Sequence, residues 1–133
     1  MFGRYACVSA TAMLIVAGLG TSTSAQVDLT FGEPANLGPI INSANGESSP
    51  TISADGLELY FGSDRDGGHG GSDLWVSRRP TTDSEWGTPV NLGPVVNSAM
   101  AEGTPSISAD DLELYFSDWG DPRPGGHGSV DLW

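Results

Sequence analysis

The feature that most constrains this chain is that it repeats itself. Asn36-Leu37-Gly38-Pro39-Ile40-Ile41-Asn42-Ser43 returns 55 residues later as Asn91-Leu92-Gly93-Pro94-Val95-Val96-Asn97-Ser98. The segment from Pro50 to Phe61 returns at the same offset as Pro105 to Phe116. Gly68-His69-Gly70 and Asp73-Leu74-Trp75 return as Gly126-His127-Gly128 and Asp131-Leu132-Trp133, now 58 apart. The extra residues fall around Trp119 to Pro124, expected to lie between strands, where insertions are tolerated. A period of this length describes one supersecondary unit per copy, which cannot bury its apolar face alone and stacks on its neighbours.

Within a copy the pattern is all β. Thr51-Ile52-Ser53 reads as a first strand, and Ala54-Asp55-Gly56 supplies the Asp-Gly pair that favours a tight type I′ hairpin. Leu57-Glu58-Leu59-Tyr60-Phe61 alternates apolar and polar residues, as a second strand does. The glycine-rich run from Asp64 to Gly71 reads as a loop, Ser72 to Arg79 as a third strand, and Thr88 to Leu92 as a fourth. Four short antiparallel strands per repeat describe a β-propeller blade, so the expected fold is all-β: about two blades, the last incomplete. The expected organisation is a signal peptide over 1–25 and a partial propeller over 26–133, with repeat units near 34–48, 49–98 and 104–133.

The run Ser49-Pro50-Thr51-Ile52-Ser53-Ala54-Asp55-Gly56-Leu57-Glu58-Leu59-Tyr60-Phe61, followed after the loop by Ser72-Asp73-Leu74-Trp75, resembles the WD40-like β-propeller repeat of the TolB type. The resemblance spans 34–133, and the second copy departs from it at Asp111, where the first has Gly56. Aspartate tolerates positive φ better than most residues, so the turn is expected to survive. The resemblance implies an exported or periplasmic propeller that works in protein or ligand binding, sometimes beside a peptidase or envelope-binding domain.

Export is also written into the N-terminus. Arg4 precedes a mostly apolar run from Ala6 to Leu19, and the small polar stretch Gly20 to Ala25 suits signal peptidase, leaving Gln26 first. The run is shorter than the roughly 20 apolar residues of a spanning helix, so no membrane insertion is expected after cleavage. The single cysteine, Cys7, would leave with the signal. The remaining 108 residues carry four arginines, no lysine and 17 acidic residues, a formal charge of −13. Such a field repels nucleic acid, while a protein partner or a neutral glycan remains compatible with it. Asp131-Leu132-Trp133 matches a strand that runs on to Arg79 in the first copy, so a fragment of a longer protein is expected. A ring of 4 to 8 blades needs further blades or self-association.

Candidates for ligand contact sit in the two glycine-rich segments: Asp64, Asp66 and His69 in the first, Asp118, Trp119 and His127 in the second. Asp121 lies near the latter set. Calcium favours carboxylates on flexible loops, but the spacing lacks an EF-hand's third acidic position and distant glutamate. One histidine per repeat without cysteine is not a zinc pattern, so no metal or cofactor is expected. Asp73 and Asp131 read as structural, bonding loop amides. The repeating Tyr60, Phe61, Trp75, Tyr115, Phe116 and Trp133 read as core, and Trp119, in the inserted loop, as the aromatic to test for ligand contact. There is no Gly-x-Ser-x-Gly elbow or His-Glu-x-x-His motif. The expected function is therefore a non-catalytic binding or scaffold propeller of the cell envelope or extracellular space. The alternative is the non-catalytic propeller domain of a secreted peptidase or glycan-active hydrolase.

Overall fold

The structure, a computed structural model, describes residues 31–120 and 123–133, and the backbone of two short strands before them. The signal assigned to 1–25 lies outside the described residues, apart from the backbone of Thr11–Met13, and Asp121 lies outside them too. The chain divides into compact units 1–37 and 38–133. In the first, β1 (Thr11–Met13) pairs antiparallel with β2 (Asp28–Thr30).

The second unit holds two antiparallel meanders, and no helix occurs among the described residues. β3 (Glu47–Ile52), β4 (Glu58–Ser63), β5 (Asp73–Arg78) and β6 (Val90–Asn91) form a four-stranded sheet in sequence order. β7 (Ala101–Ile107), β8 (Leu114–Trp119) and β9 (Val130–Leu132) form a three-stranded one. The repeat is thus an all-β unit with the expected strand sequence.

Three details differ from the sequence reading. The first strand begins at Glu47, four residues early, and passes Pro50 by a register shift between Ser48 and Thr51. Proline has no N–H to donate, so a ladder can run through it only at a bulge or an edge. The second repeat does the same around Pro105, between Gly103 and Ser106. The hairpin turn is not type I′, which needs positive φ at both central residues. Ala54 and Asp55 keep negative φ, Gly56 N–H closes on Ser53 C=O at 2.9 Å, and Gly56 itself takes φ +74°. In the second repeat Asp111 adopts φ +58° at that place, and the same turn forms. Third, Trp119 is not in the inserted loop: it ends β8, opposite Ala101 and Val130.

The turn explains the repeated Ser-Ala-Asp. Asp55 Oδ1 accepts from the Ser53 hydroxyl (2.7 Å) and Leu57 N–H (2.9 Å), and Ser53 Oγ accepts from Glu58 N–H (2.9 Å). Ser108, Asp110, Leu112 and Glu113 repeat these bonds. Side chains of this kind mimic backbone turns, which is why the pair recurs.

The second sheet meets the first through β7, which lies against β3, β4 and β5. Alternation puts Tyr60, Gly62, Leu74 and Val76 on the covered face of the first sheet, with Leu74 and Val76 almost completely buried. Burying such a Leu or Val side chain contributes about 1.5–3 kcal/mol. The opposite face carries Phe61 and Trp75, also buried. Hydrogen bonds stitch the seam: Gly71 N–H to Met100 C=O and Ser72 C=O from Glu102 N–H, both 2.7 Å.

The recurrent Asn-Leu-Gly-Pro-x-x-Asn is the linker between repeats. Gly93 takes φ +78° and Asn97 N–H returns to Gly93 C=O, a turn that Gly38 (φ +84°) and Asn42 N–H repeat in the first copy. The turn sends the Asn97 side chain back against β5, where it accepts from Leu74 N–H (2.8 Å) and donates to Leu74 C=O (3.0 Å). A buried asparagine that satisfies both backbone groups of one strand residue locks the second repeat's entry onto the first.

Candidate functional site

The loop end of the two sheets is organised by two arginines. Arg65 Nη2 donates to Ile41 C=O (2.6 Å) and Glu47 Oε1 (3.0 Å), and its Nε donates to Ser63 Oγ (3.0 Å). Its guanidinium carbon stands 5.0 Å from the Phe61 ring centroid and 5.4 Å from that of Trp75. Arg123 repeats the arrangement: Nη2 to Val96 C=O (3.0 Å) and Glu102 Oε1 (2.7 Å), Nε to Asp118 Oδ2 (3.0 Å), stacked near Phe116 and Trp133. A planar guanidinium suits this work because one side chain bridges a carboxylate, a carbonyl and two rings at once. Each carboxylate also takes a serine hydroxyl, Ser43 on Glu47 at 2.6 Å and Ser98 on Glu102. Burial pushes the Glu47 carboxyl up, but bonds from Ser43, Ser63 and Arg65 outweigh it and hold the group below its usual range.

Against this frame the six sequence candidates separate. Asp64 is exposed and its Oδ1 accepts Gly46 N–H at 2.7 Å, tying the loop to the entry of β3. Asp66 and His69 are exposed on the same loop. His69 is held by its backbone N–H, which donates to Asp73 Oδ2 (2.5 Å). His127 makes the same bond to Asp131 (2.9 Å), so the structural role of both aspartates stands. Asp118 is buried in the Arg123 cluster, where it occupies the strand position that Ser63 fills in the first sheet. Trp119 is 40% exposed, and its ring covers Gly103, whose added Cβ would come within 2.8 Å of it. The structure therefore places Asp64, Asp66 and His69 on the loop between β4 and β5, Asp118 and Trp119 on β8 and His127 between β8 and β9, and no cluster of three or more metal-ligating side chains forms among the described residues.

Sequence reasoning missed the arginine clusters and a groove at the opposite, turn-bearing end. The groove, of about 520 Å³, lies between the first sheet and the second hairpin turn, lined by Asp55, Glu58, Tyr60, Arg78, Arg79 and Asp111 among others. Glu58 Oε1 accepts from Arg78 Nε (2.6 Å) and its Oε2 from the Tyr60 hydroxyl (2.5 Å). The Tyr60 bond, against the pull of burial, together with Arg78, holds the Glu58 carboxyl below its usual range. Burial and that same carboxylate push the Tyr60 phenol up to about 12. At neutral pH the carboxylate is charged and the phenol protonated, a fixed hydrogen-bonding surface rather than a proton relay. Arg79 stacks at 4.2 Å on Trp86 and donates to Gly56 C=O (2.8 Å), stiffening the rim. Two arginines and three carboxylates thus line one open cleft, so it presents charges of both signs. Comparison with family models, with curated proteins and with solved structures finds no match for this chain.

Proposed function

We propose that this chain is an exported, non-catalytic β-propeller module of the WD40-like, TolB type, which binds or scaffolds a protein partner in the cell envelope or outside the cell. The observation that carries the proposal is the stacking of two sequence-equivalent meanders, the leading strand of the second set across three strands of the first. Neighbouring blades of a propeller bury their faces in this way. The cleft between the two turns offers mixed charge to a polypeptide, and the acidity of the chain works against nucleic acid as the ligand.

The test has two parts. Expressed in an exporting bacterial host, the chain is expected outside the cytoplasm with the mass left by cleavage after Ala25. A photo-crosslinking residue at Arg78, in the cleft, is then expected to capture a discrete protein, while one at the exposed Asp83 does not. Retention of the uncleaved chain in the cytoplasm would refute the export assignment. Equal capture at the two positions would refute the cleft as the partner's site.

A further inference from the structure

Residues that are equivalent by the repeat have opposite environments in the two sheets. Tyr60 is 8% exposed and Leu74 0%, whereas Tyr115 and Leu132 are 55% and 83% exposed. Strand alternation places Tyr115, Trp119, Val130 and Leu132 on one face of the second sheet, the counterpart of the face that β7 covers on the first. At the other end of the unit the asymmetry reverses. In β7, Glu102, Gly103 and Pro105 are buried, Glu102 with its backbone N–H on Ser72 of the first sheet and Gly103 beneath the Trp119 ring, while in β3 Ser48 and Pro50, the counterparts of Gly103 and Pro105, are exposed. The described residues therefore carry both halves of one interface, joined once internally, with Tyr115 and Leu132 exposed on one half and Ser48 and Pro50 on the other.

We propose that the open face of the second sheet receives Asn42–Ile52 of a second copy of this chain, head to tail. The internal seam specifies the contacts by register. Gly71 N–H to Met100 C=O becomes Ser129 N–H to the C=O of the second copy's Asn45, and Ser72 C=O becomes Val130 C=O, accepting from the second copy's Glu47 N–H. The Leu74 site filled by Asn97 becomes the Leu132 site facing the second copy's Asn42. The segment Ser43 to Gly46 is exposed and held in shape by the Glu47–Ser43 and Asp64–Gly46 bonds, so it is ordered before docking. A head-to-tail contact makes rings when its rotation closes. For these 133 residues alone, with two sheets per copy and 4 to 8 blades per ring, closure takes about two to four copies. That count rests on the propeller reading; the interface does not.

The experiment compares the chain left by cleavage after Ala25, which lacks the apolar 6–19 run and Cys7, with two variants by light scattering across a dilution series, in about 0.5 M salt to screen the acidic surface. The unaltered chain is expected to self-associate, with a mass of about two to four copies. Leu132→Asp, at a side chain exposed within one copy, is expected to stay folded by circular dichroism. It should weaken association by about tenfold or more, because a charge would then enter the seam. Gly46→Cys with Ser129→Cys reproduces between copies the Gly71–Ala101 approach, where the two Cβ positions lie 3.4 Å apart. That spacing is near the disulfide range, so oxidation is expected to link copies covalently. A chain monomeric throughout, with no cross-link, would overturn the proposal and leave the face to a different occupant. Association untouched by Leu132→Asp would overturn it too. A cross-linked assembly larger than four copies would support the interface and refute the propeller reading instead.

Discussion

Replacing Arg65 by alanine tests whether the arginine clusters hold each sheet to its entry segment. The Arg65 and Glu47 side chains are 12% and 11% exposed, so the pair is largely desolvated. Removing the cation strands Glu47 and frees Ile41 C=O, and breaking a buried pair in this way costs about 3–5 kcal/mol. Two ring contacts at 5.0 and 5.4 Å add about 0.5–1 kcal/mol each. In a domain of this size about 3 kcal/mol lowers Tm by at least about 12 °C. Arg65→Lys keeps the charge but loses the fork, and is expected to cost about 1–2 kcal/mol. Adding Glu47→Gln to Arg65→Ala should recover much of the loss, since the stranded charge is the larger part of it. The sign with pH follows. A carboxyl held below its unfolded value of 4.5 stabilises the fold above that pH, and this contribution is lost as pH falls further. In Arg65→Ala the acid loss therefore starts at higher pH. Urea and thermal unfolding followed by circular dichroism read all four proteins. A cost under about 1 kcal/mol for Arg65→Ala, the worth of an exposed pair, would refute the reasoning.

Two further outcomes follow from the packing. Tyr60 is raised to about 12, so its contribution is complete below its unfolded value of 10.0 and is lost as pH rises toward 12. Tyr115 is raised too, by its bond to Glu113, so phenolate absorbance is expected to show two tyrosines ionising late, with Tyr60→Phe removing the step that accompanies alkaline unfolding. Gly70 and Gly128 are equivalent, yet a Cβ on Gly70 meets the Ser98 oxygen and Ala99 carbonyl carbon at 2.5 Å, while one on Gly128 finds nothing nearer than 3.5 Å. Gly70→Ala should therefore destabilise the chain by about 1–3 kcal/mol, and Gly128→Ala should leave its unfolding unchanged while weakening self-association.

What could be read from the sequence was what is local. Strand alternation, the Ser-x-Asp turn and the aspartate that bonds the His69 or His127 amide each act within about five residues, so they leave a periodic trace. The arginine clusters leave none. Arg65 and Glu47 are 18 residues apart, Arg123 and Glu102 21, and the intervening insertion puts the arginines 58 apart and the glutamates 55. That mismatch also made Asp118 look like a loop ligand, when it occupies the strand position of Ser63 and accepts from the same kind of Nε. The turn end was missed because its cleft joins Asp111 to residues of the other repeat, a proximity that only the packing of the sheets creates. The fold was thus legible through its periodicity, whereas the sites depend on contacts between periods.

The kink at Pro50 and Pro105 has a consequence for how this molecule avoids the wrong company. β3 and β7 each form an outer margin of a sheet, and a straight margin is a template on which any extended chain can add itself. Here the margin is interrupted in mid-strand by a residue with no N–H, next to Ser49 at φ +50° in one sheet and Thr104 at φ +47° in the other. The backbone strain of those residues, of order 1–3 kcal/mol each, is the cost of spoiling the template. Fibril growth along the strands is thereby discouraged, and contact through the broad apolar faces is left as the favoured way for units of this kind to meet.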